Sequence, residues 1–299
     1  MKKILTVFTP TYNRAYILPQ LYKSLCSQTN HNFKWLIVDD GSNDTTKSDV
    51  AKWIKDEIIE IEYRYQDNAG KMAAYNAALE SVNTFLFMCV DSDDFLVPDA
   101  VEKILEAAKG IEKRDDLSGI VAYKGNIEGK VIGNCFPQEL EYSPLNNLYE
   151  LGFRGDTTLI YKSQIAKRFM FPILPGEKFV SEMYVYNQID ELYKMKLLRE
   201  VLTICNYLDD GYTKNGYNLV KNNPMGWALI YHQKKYYSQN IVERLRCAAF
   251  AGSYVMMSSP KAKKAAYDQK LYKTGIIELI TYPVSLLLYL RRKWVHRAG

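Results

Sequence analysis

Three carboxylates crowd into Asp91-Ser92-Asp93-Asp94, directly after the strand-like run Thr84 to Val90. Like charges this close repel, and a bound divalent cation is one way to offset them. An Asp-x-Asp turn can hold Mg²⁺ or Mn²⁺ with one or two carboxylates, leaving positions for water and phosphate oxygens. The same residues also suit a solvated turn that caps the next helix. Other polar clusters also follow strand-like runs: Thr9-Pro10-Thr11-Tyr12-Asn13-Arg14, Asp39-Asp40-Gly41-Ser42 and Asp67-Asn68-Ala69-Gly70-Lys71. In the second, a carboxylate can accept from a base N–H or a ribose hydroxyl, or the stretch can be a plain Asp-Gly turn. Lys71, at a helix start after Gly70, suits a phosphate through its charge and the helix dipole, or an ordinary solvated position.

Composition narrows the chemistry. Three histidines in 299 residues leave a histidine metal site or base poorly supplied, so oxygen ligands and Mg²⁺ or Mn²⁺ are favoured over zinc. The five cysteines (Cys26, Cys89, Cys135, Cys205, Cys247) form no C-x-x-C pair, as expected of reduced thiols in a cytoplasmic protein. The start, Met1-Lys2-Lys3-Ile4, runs straight into a strand and has no signal-peptide pattern, so the chain is expected to stay in the cytoplasm. A P-loop, a Gly-x-Gly-x-x-Gly after the first strand and a nucleophile elbow are all absent, which argues against NTPases, dinucleotide oxidoreductases and serine hydrolases.

The clusters must be held by the elements between them. Strands are expected at Ile4–Thr9, Phe33–Val38, Ile59–Tyr65, Thr84–Val90 and Ile120–Tyr123. Helices are expected at Ile17–Ser27, Thr45–Ile58, Gly70–Ser81 and Pro98–Lys109, the last with proline in its first turn. Such alternation implies an α/β fold with a mostly parallel sheet covered on both faces. Ligands in such folds sit at the carboxyl ends of the strands, where every one of these clusters falls.

Taken in order and interval, Thr9-Pro-Thr-Tyr-Asn-Arg14, Val38-Asp-Asp-Gly-Ser42, Asn68-Ala-Gly-Lys71 with Asn76, and Asp91-Ser-Asp-Asp94 resemble the family 2 glycosyltransferases of GT-A fold. Arg154-Gly-Asp156, Gly176 to Glu182 and Asn206 to Tyr212 look more loosely like the acceptor half of bacterial capsule and exopolysaccharide enzymes. The resemblance implies a GT-A domain over residues 1–220, with a nucleotide-sugar half at 1–125 and an acceptor half at 126–220. It implies an inverting, metal-dependent enzyme that takes a sugar from a UDP-sugar to a lipid-linked saccharide acceptor. Thr9, Tyr12 and Arg14 would line the nucleotide pocket, and Asp40 would read the uracil edge. Asn68 and Lys71 would lie near ribose and diphosphate, and Asp91 near ribose or donor sugar. Asp93 would hold Mn²⁺ or Mg²⁺, with Ser92 and Asp94 supporting that end of the site. The base is assigned to Glu182, ahead of the helix-like run Met183–Tyr193, with Glu177 and Asp156 as alternatives; many relatives carry Glu-Asp where this chain has Glu182-Met183.

Residues 221–299 are expected to form a helical, basic, amphipathic appendage. From Trp227 onward there are 13 Lys and Arg against three Asp and Glu, a net of +10, while the first 226 residues carry −5. Gly275–Leu290 is apolar, interrupted by Glu278 and Pro283, and followed by Arg291-Arg292-Lys293-Trp294. It is too short and interrupted to span a bilayer, so contact with the inner face of an anionic membrane is expected in preference to a helix packed on the catalytic domain. Nucleic acid is disfavoured, because the tail's apolar residues are mainly aliphatic. Two rivals share parts of this pattern. A nucleotidyltransferase would carry a Gly-rich basic loop after its first strand, and Thr9–Arg14 holds no glycine. An inactive nucleotide-sugar-binding protein would not need every proposed catalytic carboxylate to be present.

Overall fold

The computed structural model describes residues 3–205 and 216–298, so Asn206 to Tyr212 lies outside the described residues. The first part alternates as expected: β1 (Leu5–Thr11), α1 (Leu18–Cys26), β2 (Phe33–Asp39), α2 (Thr46–Asp56), β3 (Glu60–Tyr65), α3 (Lys71–Ser81) and β4 (Leu86–Cys89). A short β5 (Phe95–Leu96) and α4 (Ala100–Lys109) follow. Every residue of β2 is buried, and all but one of β1, which is why both read as continuous apolar runs. Next come β6 (Leu117–Gly125), β7 (Tyr142–Ser143), α5 (Leu145–Glu150), β8 (Thr157–Lys162), α6 (Ser163–Ala166), α7 (Met183–Asp190) and β9 (Lys194–Ile204).

Among the described residues, nine strands join one mixed sheet in the order β3-β2-β1-β4-β8-β6-β9-β5, with β7 on β9. The first four pair in parallel, whereas β8 runs antiparallel to β4 and to β6. The second half is therefore not parallel throughout. β7 and the short α5 connect β6 to β8, which returns antiparallel beside it. β1 lies between β2 and β4, and strand order reverses there. In α/β sheets such a reversal is where ligands bind, outside the carboxyl ends of the strands. In the core, Trp35 stacks with Tyr22 and Trp53 at centroid distances of 6.1 and 5.8 Å.

The chain forms two compact units. One holds the sheet and its helices up to Met170 and from Val185; the other holds Phe171–Tyr184 and the C-terminal helices. The latter are α8 (Gly216–Asn222), α9 (Pro224–Tyr237), α10 (Ile241–Met257), α11 (Pro260–Asp268) and α12 (Ile276–Ala298). Their core gathers Leu174, Val180, Met225, Leu229, Tyr254 and Tyr272. None of the described helices is long and apolar enough to cross a membrane.

His232 of α9 is buried in this unit, its ring 4.3 Å from that of Tyr272 and its Nδ1 3.6 Å from Glu278 Oε1. Burial and the nearby Lys235 and Lys273 charges outweigh Glu278 and lower its pKa to about 4. An unfolded histidine takes its proton near pH 6.5, before the folded one does. Stability from His232 is thus present above about pH 6.5 and lost as pH falls toward about 4, by about 1–3 kcal/mol. Urea unfolding across that window should show the loss, and His232→Gln should flatten it.

Candidate active site

The polar loops after β1 to β4 are fastened to one another in sequence around one sheet edge. Asn13, held at φ +53°, has its N–H donating to Ser42 Oγ at 2.8 Å and its Oδ1 accepting from Asn43 N–H at 2.9 Å. Asp44 Oδ2 accepts from Ala15 N–H at 2.9 Å. These bonds fix the loop carrying Tyr12 and Arg14 to the loop after β2. Gly41 stands at φ +89°, and a Cβ there would sit 2.9 Å from Asn68 N, so the close approach of the next loop requires glycine.

Asp40 joins the second and third loops. Its Oδ1 accepts from Gln66 Nε2 at 2.7 Å and Ala69 N–H at 2.9 Å, and its Oδ2 accepts from Gly70 N–H at 2.8 Å. Asp40, expected to read a base, is buried here, and its carboxylate builds the Asn68-Ala69-Gly70 loop. Thr9, expected to line the nucleotide pocket, is fully buried here, and its Oγ1 accepts from the Trp35 indole N–H at 2.9 Å, which ties it to the core. Asp39, also fully buried, accepts from Ser42 N–H at 2.8 Å and Tyr63 Oη–H at 2.7 Å. Tyr12 is exposed, and Arg14 is half-buried with its positive charge acting on Asp91 and Asp93.

Lys71, the first residue of α3, places Nζ 2.7 Å from Asp91 Oδ1 and ties the third loop to the fourth. On the other side, Lys124 at the end of β6 places Nζ 2.6 Å from Asp94 Oδ2. Burial pushes the Asp91 carboxyl up, but the Lys71 and Lys124 charges outweigh it and leave it below the usual range. Asp93 differs. Among the described residues it has no lysine partner, and burial with the charges of Asp91 and Asp94 holds its pKa above the usual range. Ser92 is buried between them. Asp93 thus presents hard oxygen donors in a field of excess negative charge, the setting a divalent cation relieves. Among the described residues no three His, Cys, Asp or Glu side chains converge on one point, so a cation here would complete its shell with water and phosphate oxygens.

Lys124 is the site residue that sequence reasoning missed. A charge ending the apolar run Ile120-Val-Ala-Tyr123 was the available signal, one position past the expected strand. Burial lowers its pKa, but Asp94 and Asp91 outweigh that and raise it well above normal. Lys124→Met should leave the Asp94 carboxylate buried and unpaired and cost about 3 kcal/mol in urea unfolding. Adding Asp94→Asn should restore part of that loss.

The three candidate bases are placed differently. Asp156 stands on the same edge, its carbonyl accepting from Lys124 N–H at 3.1 Å. Glu182 is half-buried immediately ahead of α7. Glu177 is engaged elsewhere: its two carboxylate oxygens accept from Met225 and Gly226 N–H, each at 2.8 Å, capping the first turn of α9. Asn223 returns the contact by accepting from Lys178 and Phe179 N–H at 2.8 and 3.0 Å. Glu177 thus has both carboxylate oxygens engaged by backbone, unlike a base left open to an acceptor.

The sequence model of glycosyl transferase family 2 matches residues 6–168, more than half of the chain and all four of these loops. The chain belongs to glycosyl transferase family 2. Within the family it is 24% identical, over 96% of its length and 92% of the relative's, to a GalNAc(5)-diNAcBac-PP-undecaprenol beta-1,3-glucosyltransferase of Campylobacter jejuni. Other curated glycosyltransferases align at 29–32% identity over 150–182 residues, and the chain spans about a quarter of their length (24–26%). Among solved structures it is similar to S. aureus TarS residues 1–349 in complex with UDP-GlcNAc (TM-score 0.60, 16% identity, 99% of this chain and 92% of that one). It is also similar to a Pyrobaculum calidifontis mannosyltransferase in complex with GDP-Man and Mn²⁺ (TM-score 0.55, 17% identity, 98% and 83%). These two likenesses show the fold, a GT-A sheet flanked by helices and followed by C-terminal helices.

Proposed function

We propose that this chain is an inverting glycosyltransferase that moves a sugar from a UDP-sugar to a lipid-linked saccharide acceptor in cell-surface polysaccharide synthesis, with Mn²⁺ or Mg²⁺ at Asp93. The observation that carries it is the carboxylate row after β4, in which lysines neutralise Asp91 and Asp94 and leave Asp93 to a cation. The TarS complex with UDP-GlcNAc supports a UDP-sugar, and the Campylobacter relative's undecaprenol-linked substrate supports a lipid-linked acceptor at the membrane surface. The Mn²⁺ in the mannosyltransferase complex supports the metal.

Each residue then has a task. When bound, the cation offsets charge developing on the departing diphosphate. Lys71 and Arg14 add positive charge on the same side, and Lys71 also keeps Asp91 ionised and in place. Tyr12, exposed at the pocket mouth, offers a ring to the base. Asn68, held by the Asp40-braced loop, faces the ribose. Glu182 takes the proton of the acceptor hydroxyl as that oxygen attacks the anomeric carbon from the side opposite the leaving group.

A panel of nucleotide-sugars with Mn²⁺ or Mg²⁺ tests this reading. Cation-dependent release of UDP is the expected result. Release of inorganic diphosphate would point to a nucleotidyltransferase instead, and release of neither would point to a binding protein.

A further inference from the structure

α12 is turned inside out. Glu278, Thr281 and Ser285, spaced three and four residues apart, lie on one stripe that faces inward and are 8%, 6% and 2% exposed. Ile276, Leu279, Ile280, Leu287 and Leu290 share the opposite face and are 51–76% exposed. A surface helix of a soluble protein ordinarily does the reverse. Within its unit, α12 lies along α10, where Gly252 leaves room for Ser285: a Cβ on Gly252 would meet Ser285 Oγ at 2.5 Å.

The inward stripe holds this orientation through charge. Glu278 is buried in an ion pair with Lys235 of α9 and accepts from Gly275 N–H at 2.9 Å. Two residues past Leu290, Arg292 donates to Ser253 Oγ and lies 3.8 Å from the Tyr254 ring centroid. Turning the helix over to bury its leucines would strand Lys235 without its counter-charge, the expensive way to break a buried pair. The apolar face is therefore held outward. Patches of large aliphatic side chains on this scale mark an interaction surface. Exposed cations stand at both of its ends: Lys270 and Lys273 before the helix, and Arg291 and Lys293 within it past Leu290.

We infer that α12 lies in the plane of an anionic lipid monolayer, its outward aliphatic face among the acyl chains and these lysines and arginine at the headgroups. An apolar face rimmed by positive charge suits an anionic bilayer surface better than a second copy of the same cationic helix. The inference rests on the membrane-surface reading above and deepens it by naming the face and its orientation.

Sedimentation of the full chain with vesicles of phosphatidylglycerol and phosphatidylethanolamine, against phosphatidylcholine alone, tests it. Binding should favour the anionic vesicles and weaken with salt. Combined Leu279→Ser, Ile280→Ser and Leu287→Ser, all exposed, should lower binding at least about tenfold. UDP release from a UDP-sugar in detergent-free solution should be unchanged. Arg291→Gln with Lys293→Gln should reduce binding to anionic vesicles only. Wild-type protein left in the supernatant, equal binding by the triple variant, or a soluble dimer dissolved by it would overturn the inference. Loss of UDP release with vesicle binding intact would instead count against the proposed chemistry alone.

Discussion

Asp93→Ala is expected to lower sugar transfer by about a thousandfold or more and to abolish the cation dependence of donor binding. The size follows from where the charge sits. Asp91 and Asp94 each have a lysine within 2.7 Å, so Asp93 is the carboxylate left to balance a cation. Removing it takes away the negative charge that would hold the metal against two phosphates. It also relieves the repulsion that raises the Asp93 pKa, so the folded protein should be no less stable. Stability retained with turnover lost is the signature to seek, by urea unfolding and steady-state assay on one preparation. Turnover within about twofold of wild type would assign the metal elsewhere.

Glu182→Gln is expected to lower transfer by about a thousandfold through a different route. A general base acts on the acceptor, so UDP and cation binding should stay within about twofold of wild type while kcat falls. Glutamine keeps the shape of the side chain and cannot accept the proton. Glu177→Gln should change neither quantity comparably, because Glu177 already accepts two backbone N–H groups at the start of α9. If Glu182→Gln transferred sugar normally and Asp156→Asn did not, the base would move to the residue beside Lys124.

What the amino-acid sequence disclosed depended on how local the information was. β1 to β4 and α1 to α4 were legible within a few residues, because each is a continuous apolar run or amphipathic stretch bounded by polar loops. The turn-back of β8 between β4 and β6 was not, since strand direction depends on partners far along the chain. The same distinction separates the site residues. Asp91, Asp93 and Asp94 announce themselves by crowding. Asp40, Thr9 and Glu177 are equally polar, yet each is engaged by a donor about 26 to 49 residues away that no local pattern reveals. Lys124 is the converse case, an isolated lysine that matters because the sheet carries it to Asp94. In α12, composition gave the basic and apolar character. Only the packing against α10 and Lys235 shows which face looks outward.

Calorimetric titration of UDP into the purified protein, with Mn²⁺ or Mg²⁺ and with chelator, bears most directly on the proposed cation at Asp93. Saturable one-site uptake that requires the cation in wild type and disappears in Asp93→Asn is the predicted outcome. Uptake of equal strength in chelator, or in Asp93→Asn with the cation present, would contradict a metal held by the loop after β4.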